Sequence, residues 1–223
     1  MDTVKIKVQR FDPAMDRKPF LQEFDVPWEE DGTVLQALMY ISEELDPSLS
    51  FRYDCRYYRC GLCGVEVNGR PRLACRAKLK DGLVLRPLRH LPLVRDLVVD
   101  RSLFYGTLER LSLYVDAEAE ETLRVIKEPP EHVQVERCVE CFCCLATCPT
   151  YDSQDEAVGG PFHFVKLAQM HFHPLDEHDR VAQAAALGVD RCAACRKCHC
   201  AIGIPIFKVA IAPLMNRVTS TTP

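Results

Sequence analysis

The sequence predicts an α+β protein in two parts, a small sheet with one helix followed by a mainly helical half. Three observations carry this expectation. Period-2 alternation and short β-branched runs occupy the first part, short amphipathic segments bounded by Pro and Gly occupy the second, and the thirteen cysteines fall into one group early and two late. With 223 residues, 48% of them apolar, the chain can bury one large core or two modest ones, and the cysteine distribution favours two domains, 1–104 and 105–223.

Val4, Ile6 and Val8 alternate with Lys5, Lys7 and Gln9, which predicts a strand with one buried face. Phe20 to Pro27 reads as a second strand, antiparallel to the first across the turn-like DPAMDRKP. Thr33-Val-Leu-Gln36 is a capping box, and Val34, Leu35, Leu38, Ile41 and Leu45 then keep a helical period, predicting a helix over 33–45. Short strands follow at Gly64 to Val67 and Leu83 to Leu85, bounded by the turn signals Asn68-Gly69 and Asp81-Gly82. Beyond residue 105, Asp116 to Glu121 is an acidic run and Pro129-Pro130 a break; helices are expected over 161–172, 176–187 and 205–216.

The N-terminus, MDTVKIKVQRF, does not read as a secretory signal. The richest apolar stretch, LVLRPLRHLPLVRDLVV, is interrupted by Arg86, Arg89, His90 and Arg95, so no membrane helix is expected and membrane contact would come through a partner. Thiols this numerous without an export signal point to metal ligation and away from a disulfide framework. A formal charge of −4 without a long basic face gives no support for nucleic-acid binding.

Cys55, Cys60, Cys63 and Cys75 in CRYYRCGLCGVEVNGRPRLAC have the C-x4-C-x2-C spacing with a distant fourth cysteine that holds a plant-type [2Fe-2S] cluster. Gly61 and Gly64 suit that loop by letting backbone N–H groups approach sulfur. CVECFCCLATCP contains Cys138, Cys141, Cys144 and Cys148 before Pro149, the bacterial [4Fe-4S] run whose fourth cysteine serves the other cluster of a pair. The pair is supplied by DRCAACRKCHCAIGIP, with Cys192, Cys195, Cys198 and Cys200. If the runs exchange ligands, Cys138, Cys141, Cys144 and Cys200 hold one [4Fe-4S] cluster and Cys148, Cys192, Cys195 and Cys198 the other, leaving Cys143 as the spare thiol. Zinc is the competing metal, in a non-redox, zinc-stapled interaction module. A ribbon of Cys138/Cys141 with Cys195/Cys198 would leave Cys144, Cys148, Cys192 and Cys200 unexplained. Arg52, Arg56, Arg59 and Arg76 flank the first site and Arg137, Arg191, Arg196 and Lys197 the others, either easing cluster charge or forming a solvated, partner-facing surface.

With three centres in this order, and with LPLVRDLVVDRSLF between the halves, the chain resembles the iron-sulfur subunit of the succinate dehydrogenase/fumarate reductase family along nearly its whole length. The resemblance implies a plant-ferredoxin-like β-grasp domain followed by an all-α, bacterial-ferredoxin-like domain. It implies a non-catalytic electron-transfer subunit of a succinate:quinone or quinol:fumarate oxidoreductase. Such a subunit relays electrons between an FAD flavoprotein and a membrane anchor of the haem b and quinone type. Its place would be peripheral, on the cytoplasmic side of the inner membrane, in the tricarboxylic acid cycle or anaerobic respiration.

The chain also departs from the family. An aliphatic residue usually stands where Cys195 does, leaving a [3Fe-4S] centre; here the thiol implies a second [4Fe-4S]. The last ligand usually falls at the position of Ile202, so Cys200 implies a two-residue shortening before Gly203. Cys148-Pro-Thr-Tyr-Asp-Ser lacks the tryptophan, and Ala193 replaces the histidine, that the family places near quinone. These departures resemble a branch whose membrane-side partner is a cysteine-rich, heterodisulfide-reductase-like subunit. The same relay could therefore serve a thiol/disulfide partner, or a flavoprotein with another substrate. His163, His171, His173 and His178 read as surface or core histidines ahead of haem or metal ligands, and Phe162, Phe164, Leu167 and Met170 as core or subunit interface.

Overall fold

The computed structural model describes residues 2–115, 127–155 and 157–216; the acidic run Asp116 to Glu121 lies outside the described residues. The chain divides into two units, Met1–Arg101 with Val139–Thr147, and Ser102–Cys138 with Cys148–Pro223.

In the first unit, strands β1 (Thr3–Arg10) and β2 (Phe20–Pro27) form the expected antiparallel pair, Thr3 opposite Pro27 and Arg10 opposite Phe20. Alternation explains the two faces. Ile6, Val8, Phe24 and Val26 are buried, whereas Lys5 on the wet face lies 3.1 Å from Glu23 and 3.3 Å from Asp25. Strands β3 (Gly64–Val67), β4 (Arg70–Leu73) and β5 (Leu83–Arg86) complete a mixed sheet in the order β2-β1-β5-β3-β4, with β5 parallel to β1 and antiparallel to β3. Helix α1 (Val34–Tyr40) starts at the capping box, where Gln36 N–H donates to Thr33 Oγ1 (3.3 Å) and Thr33 N–H to Gln36 Oε1 (2.8 Å). It continues as a wider π turn over Ile41–Leu45.

A hairpin of β6 (Leu93–Arg95) and β7 (Val98–Val99) is tied to the sheet through buried charge. Arg10 Nε lies 3.1 Å from Asp96 Oδ1, and its guanidinium also reaches Gln22, Asp46 and Ser48. Asp96 additionally accepts the Phe11 and Ser50 amides, both at 2.8 Å. Helix α4 (Cys143–Ala146), wholly buried, belongs to this unit although it lies far along the chain.

The second unit contains α2 (Leu103–Arg110), α3 (Pro130–Glu136), α5 (Pro161–His171), α6 (Arg180–Ala186) and α7 (Ala212–Asn216). Helix α5 is its core: Phe162, Phe164, Val165, Leu167 and Ala168 are all buried, so it is apolar on most sides. Gln169 Nε2 donates to Val135 O at 2.9 Å, pinning α3 to it. The helix expected over 176–187 begins only at Arg180, because Asp179 accepts the Ala182 amide (2.9 Å) as its cap. The one expected over 205–216 opens with a π turn, Phe207–Ile211, before α7.

Candidate iron-sulfur centres

The first centre is built in the loop before β3 and its continuation after β4. Positive φ values at Arg56 (58°), Tyr58 (45°) and Gly61 (70°) curl the loop so that its amides face sulfur. Tyr57, Arg59 and Cys60 N–H groups each lie 3.3 Å from Cys55 Sγ, and Tyr58 N–H is 3.2 Å from Cys75 Sγ. These donors, Tyr57 first, hold the Cys55 thiol down to about 7, whereas burial pushes Cys63 up to about 12. A donor cradle around exposed sulfur with one thiol in the core suits anionic thiolates wrapped on a metal cluster.

Gly61 and Gly64 have a role beyond the expected one of admitting amides to sulfur. They let another backbone approach. A Cβ on Gly61 would stand 1.8 Å from Val139 O, and one on Gly64 would stand 2.9 Å from Cys141 O. The segment Val139–Thr147 is thus laid against the first cysteine loop. Arg101, between them, donates to Glu140 O (2.7 Å) and Gly61 O (3.5 Å) and stacks over Phe142 at 4.4 Å. Burial lowers the Arg101 guanidinium's pKa, and the nearby Cys141 sulfur opposes that. The eight flanking cations that the sequence picks out are exposed; Arg101, the partly buried one, is not among them because a single Arg after a strand carries no motif.

Cys141 and Cys144 lie in this segment of the first unit, and Cys138, Cys148, Cys192, Cys195, Cys198 and Cys200 in the second. Cys141 is lowered to about 7, first by a hydrogen bond from the Cys143 thiol, and Cys143 is correspondingly raised. Within the second unit, burial raises Cys192 to about 11 and Cys198 to about 12, and Cys148 and Cys195 add to both through their charge. Two thiols whose ionisation is opposed by burial and by neighbouring sulfurs belong to a set that bound iron would relieve. Cys192 closes a 3-10 turn, Val189–Cys192, entered through Gly188 at φ 73°.

The histidines have packing or local roles. His163 is buried, accepts the Gly160 amide at Nδ1 (3.1 Å) and faces Tyr151. His173 Nδ1 accepts from Leu175 N–H at 3.3 Å, and His178 lies 3.4 Å from Asp176. Burial, with the Arg110 charge second, holds His163 at about 4, so it is neutral when folded, while an unfolded histidine takes a proton near 6.5. Its stabilising contribution is complete above about pH 6.5 and is lost as pH falls toward 4, by about 3 kcal/mol in all. His163→Gln keeps an acceptor for Gly160 and cannot titrate, so thermal midpoints measured between pH 4.5 and 7 should fall less steeply for it than for the parent.

Among the described residues no helix is long and apolar enough to cross a membrane. Residues 5–106 match the family described as 2Fe-2S iron-sulfur cluster binding domain. The chain is 37% identical over 196 residues, 87% of its length, to a Methanothermobacter marburgensis protein named as a subunit of fumarate reductase (CoM/CoB), of which it spans only 40%. It is 33% identical over 195 residues to the fumarate reductase iron-sulfur subunit of Haemophilus influenzae, covering 79% of this chain and 75% of that one. A chain of the Mycobacterium smegmatis Sdh1 complex in the apo form superposes with a TM-score of 0.87 at 26% identity, over 98% of this chain and 96% of that one.

Proposed function

The chain belongs to the iron-sulfur subunits of the succinate dehydrogenase/fumarate reductase family, and on that premise we propose that it is the electron-transfer subunit of such a complex. Its partners would be an FAD flavoprotein, which holds the dicarboxylate chemistry, and a membrane-side acceptor or donor that anchors it on the cytoplasmic face of the inner membrane. The observation that carries this reading is the amide cradle on Cys55 and Cys75, inside a matched 2Fe-2S domain.

The proposed ligand sets are Cys55, Cys60, Cys63 and Cys75 for [2Fe-2S], Cys138, Cys141, Cys144 and Cys200 for [4Fe-4S], and Cys148, Cys192, Cys195 and Cys198 for a second [4Fe-4S]. Bound clusters would supply one-electron carriers. The chain's own part is to hold them, aim N–H donors and the Arg101 cation at their sulfurs, and keep Cys141, Cys144 and Cys148 out of water. The domain assignment that goes with these sets is a β-grasp domain over 1–104 and a bacterial-ferredoxin-like domain over 105–223.

A second reading of the membrane-side partner is favoured by Cys195 and by the CoM/CoB relative: a cysteine-rich, heterodisulfide-reductase-like subunit in place of a haem and quinone anchor. The ligand sets proposed above take Cys195 as a ligand under either partner; the alternative third centre is a [3Fe-4S] held without it. Anaerobically purified protein should contain about ten irons per chain and be nearly silent in EPR when oxidised. Cys195→Ala should convert that silence into the near-isotropic signal of a [3Fe-4S] centre. A strong signal of that kind from the intact parent would overturn the four-cysteine assignment. Stoichiometric zinc without acid-labile sulfide would overturn the electron-transfer reading itself.

A further inference from the structure

The stretch 69–80, GRPRLACRAKLK, carries five cations and no carboxylate. Strand geometry sorts them. In β4, Arg70 and Arg72 are exposed while Pro71 and Leu73 are buried, so the two arginines leave one face with Cα atoms about 6.5 Å apart. After the turn at Cys75 the alternation resumes, with Arg76, Lys78 and Lys80 exposed and Ala77 and Leu79 buried. This second row is held down by the antiparallel bridge of Lys78 to Thr33 and by Leu79 N–H, which donates to Gly32 O at 2.8 Å. The two rows line one groove of about 580 Å³, which also takes in the buried side chains of Val67 and Leu83. Little of its charge is neutralised within the chain. Lys78 lies 2.6 Å from Asp31, itself 93% exposed, and Arg76 stacks over Tyr58 at 5.0 Å. Among the described residues Arg70, Arg72 and Lys80 have no ion-pair partner, and the next carboxylate along the chain, Asp81, accepts the Lys5 amide at 2.8 Å.

We propose that this groove receives an extended acidic segment of the flavoprotein partner, with a carboxylate at every second residue set against the cation rows. The inference rests on the reading of the chain as an electron-transfer subunit, and it names the chemistry of the surface that meets it. A chain of formal charge −4 that gathers five cations into one groove attracts an acidic surface there, while its net charge disfavours a second copy as the occupant. Each row repeats at the interval of same-face side chains in an extended chain, about 6.5 Å, so alternate acids meet a cation each time. Cys75, a proposed [2Fe-2S] ligand, stands at the turn that joins the rows, where Arg76 N–H donates to Leu73 O at 3.0 Å. A partner held in the groove is therefore beside the centre with which it exchanges electrons. Exposed cations act more on the rate and orientation of encounter than on affinity, because water and salt screen them. Steering is the groove's main contribution.

The test is the stopped-flow association rate of the anaerobically purified full-length chain with the purified flavoprotein subunit of its complex, at low and at physiological ionic strength. The parent's rate should fall steeply with salt. Arg70→Gln combined with Lys80→Gln should lower the low-salt rate on the order of tenfold and flatten its salt dependence, with iron content and visible spectrum unchanged. Lys5→Gln combined with Lys7→Gln removes the same charge from β1 and should stay within about twofold of the parent. A rate untouched by the Arg70 and Lys80 changes, or an equal loss from the β1 pair, would overturn the groove as the docking site. Competition at low salt tests the occupant. A short peptide alternating Glu and Thr should slow association at lower concentration than one of the same composition with its Glu residues in a single block. Equal competition by the two peptides, or by inorganic triphosphate at matched charge, would overturn the extended acidic segment and leave a general anion site. Phosphatidylglycerol vesicles that bind the parent but not the Arg70 and Lys80 variant, with flavoprotein association unchanged, would overturn it in favour of a membrane-facing surface. A parent that does not associate with the flavoprotein at any ionic strength is a separate result, and it would defeat the electron-transfer-subunit reading itself.

Discussion

Gly61→Ala is expected to cost more than about 4 kcal/mol and to strip iron from the protein, although it adds one methyl group. Two effects combine. The residue sits at φ 70°, where an L side chain is strained by about 1–2 kcal/mol. The larger effect is contact: the new Cβ would be 1.8 Å from Val139 O, 2.9 Å from Val139 C and 3.1 Å from Cys141 N, all backbone atoms that no rotamer change can move. The segment Val139–Thr147 must lift from the first cysteine loop, breaking the Arg101 hydrogen bonds to Glu140 O and Gly61 O that clasp the two together. Gly82 supplies the control. It has nearly the same φ, 72°, but a methyl group placed there would find nothing within 4 Å, so Gly82→Ala should cost only the strain and keep its iron. Iron content and visible absorbance of the two purified variants decide the matter; a Gly61→Ala protein with the parent's iron and thermal midpoint would refute the close-approach account.

This packing also marks the limit of sequence reasoning. Local rules find β1, β2, β3 and most of β5, because alternation and turn residues are written over four to eight neighbouring positions. They find α1, whose capping box is a four-residue signal and is made as expected. They miss β4: its Arg70-Pro-Arg-Leu73 alternates correctly, Pro71 and Leu73 inward, but four residues with a proline read as a turn. Short α3 and α4 escape for a similar reason, since seven and four residues give too few periods to detect. What no local rule can reach is the placement of Val139–Thr147 with the first unit, about seventy-five positions from Gly64, because that contact is a matter of missing side chains facing a distant backbone. The cysteine spacings are the opposite case. Metal ligation is so demanding of residue type and interval that a grouping can be proposed from spacing alone, while Arg101, which clasps the two cysteine segments through Glu140 O and Gly61 O, acts through space and leaves no spacing to read.

Arg180→Met should be the most damaging substitution in the second unit that touches no cysteine. The Arg180 side chain is fully buried and meets Asp176 twice, Nε to Oδ2 at 2.8 Å and Nη2 to Oδ1 at 2.7 Å. It also donates to Leu111 O at 2.6 Å, Ser112 O at 2.9 Å and Gln183 Oε1 at 2.9 Å. Methionine fills much of the volume but leaves Asp176, 2% exposed, as a buried carboxylate without its counter-ion, and takes one donor each from Leu111 O and Ser112 O, which keep Gln183 Nε2 and the Tyr114 amide. Breaking one side of such a buried pair costs about 3–5 kcal/mol. Arg180→Lys should recover little, because one ammonium cannot reproduce a fork that reaches a carboxylate and two carbonyls. The double variant Arg180→Met with Asp176→Leu should lie closer to the parent than Arg180→Met alone, since no uncompensated charge is then left in the core. The consequence for the centre is direct: α6 ends at Ala186 with Leu187 as its cap, and the turn that Gly188 then opens delivers Cys192. Rates of cluster bleaching on heating are the proper measure, because loss of iron makes unfolding irreversible. Arg180→Met should bleach fastest and the double variant more slowly; if the two bleach alike, the cost lies in the lost carbonyl contacts and not in the stranded carboxylate.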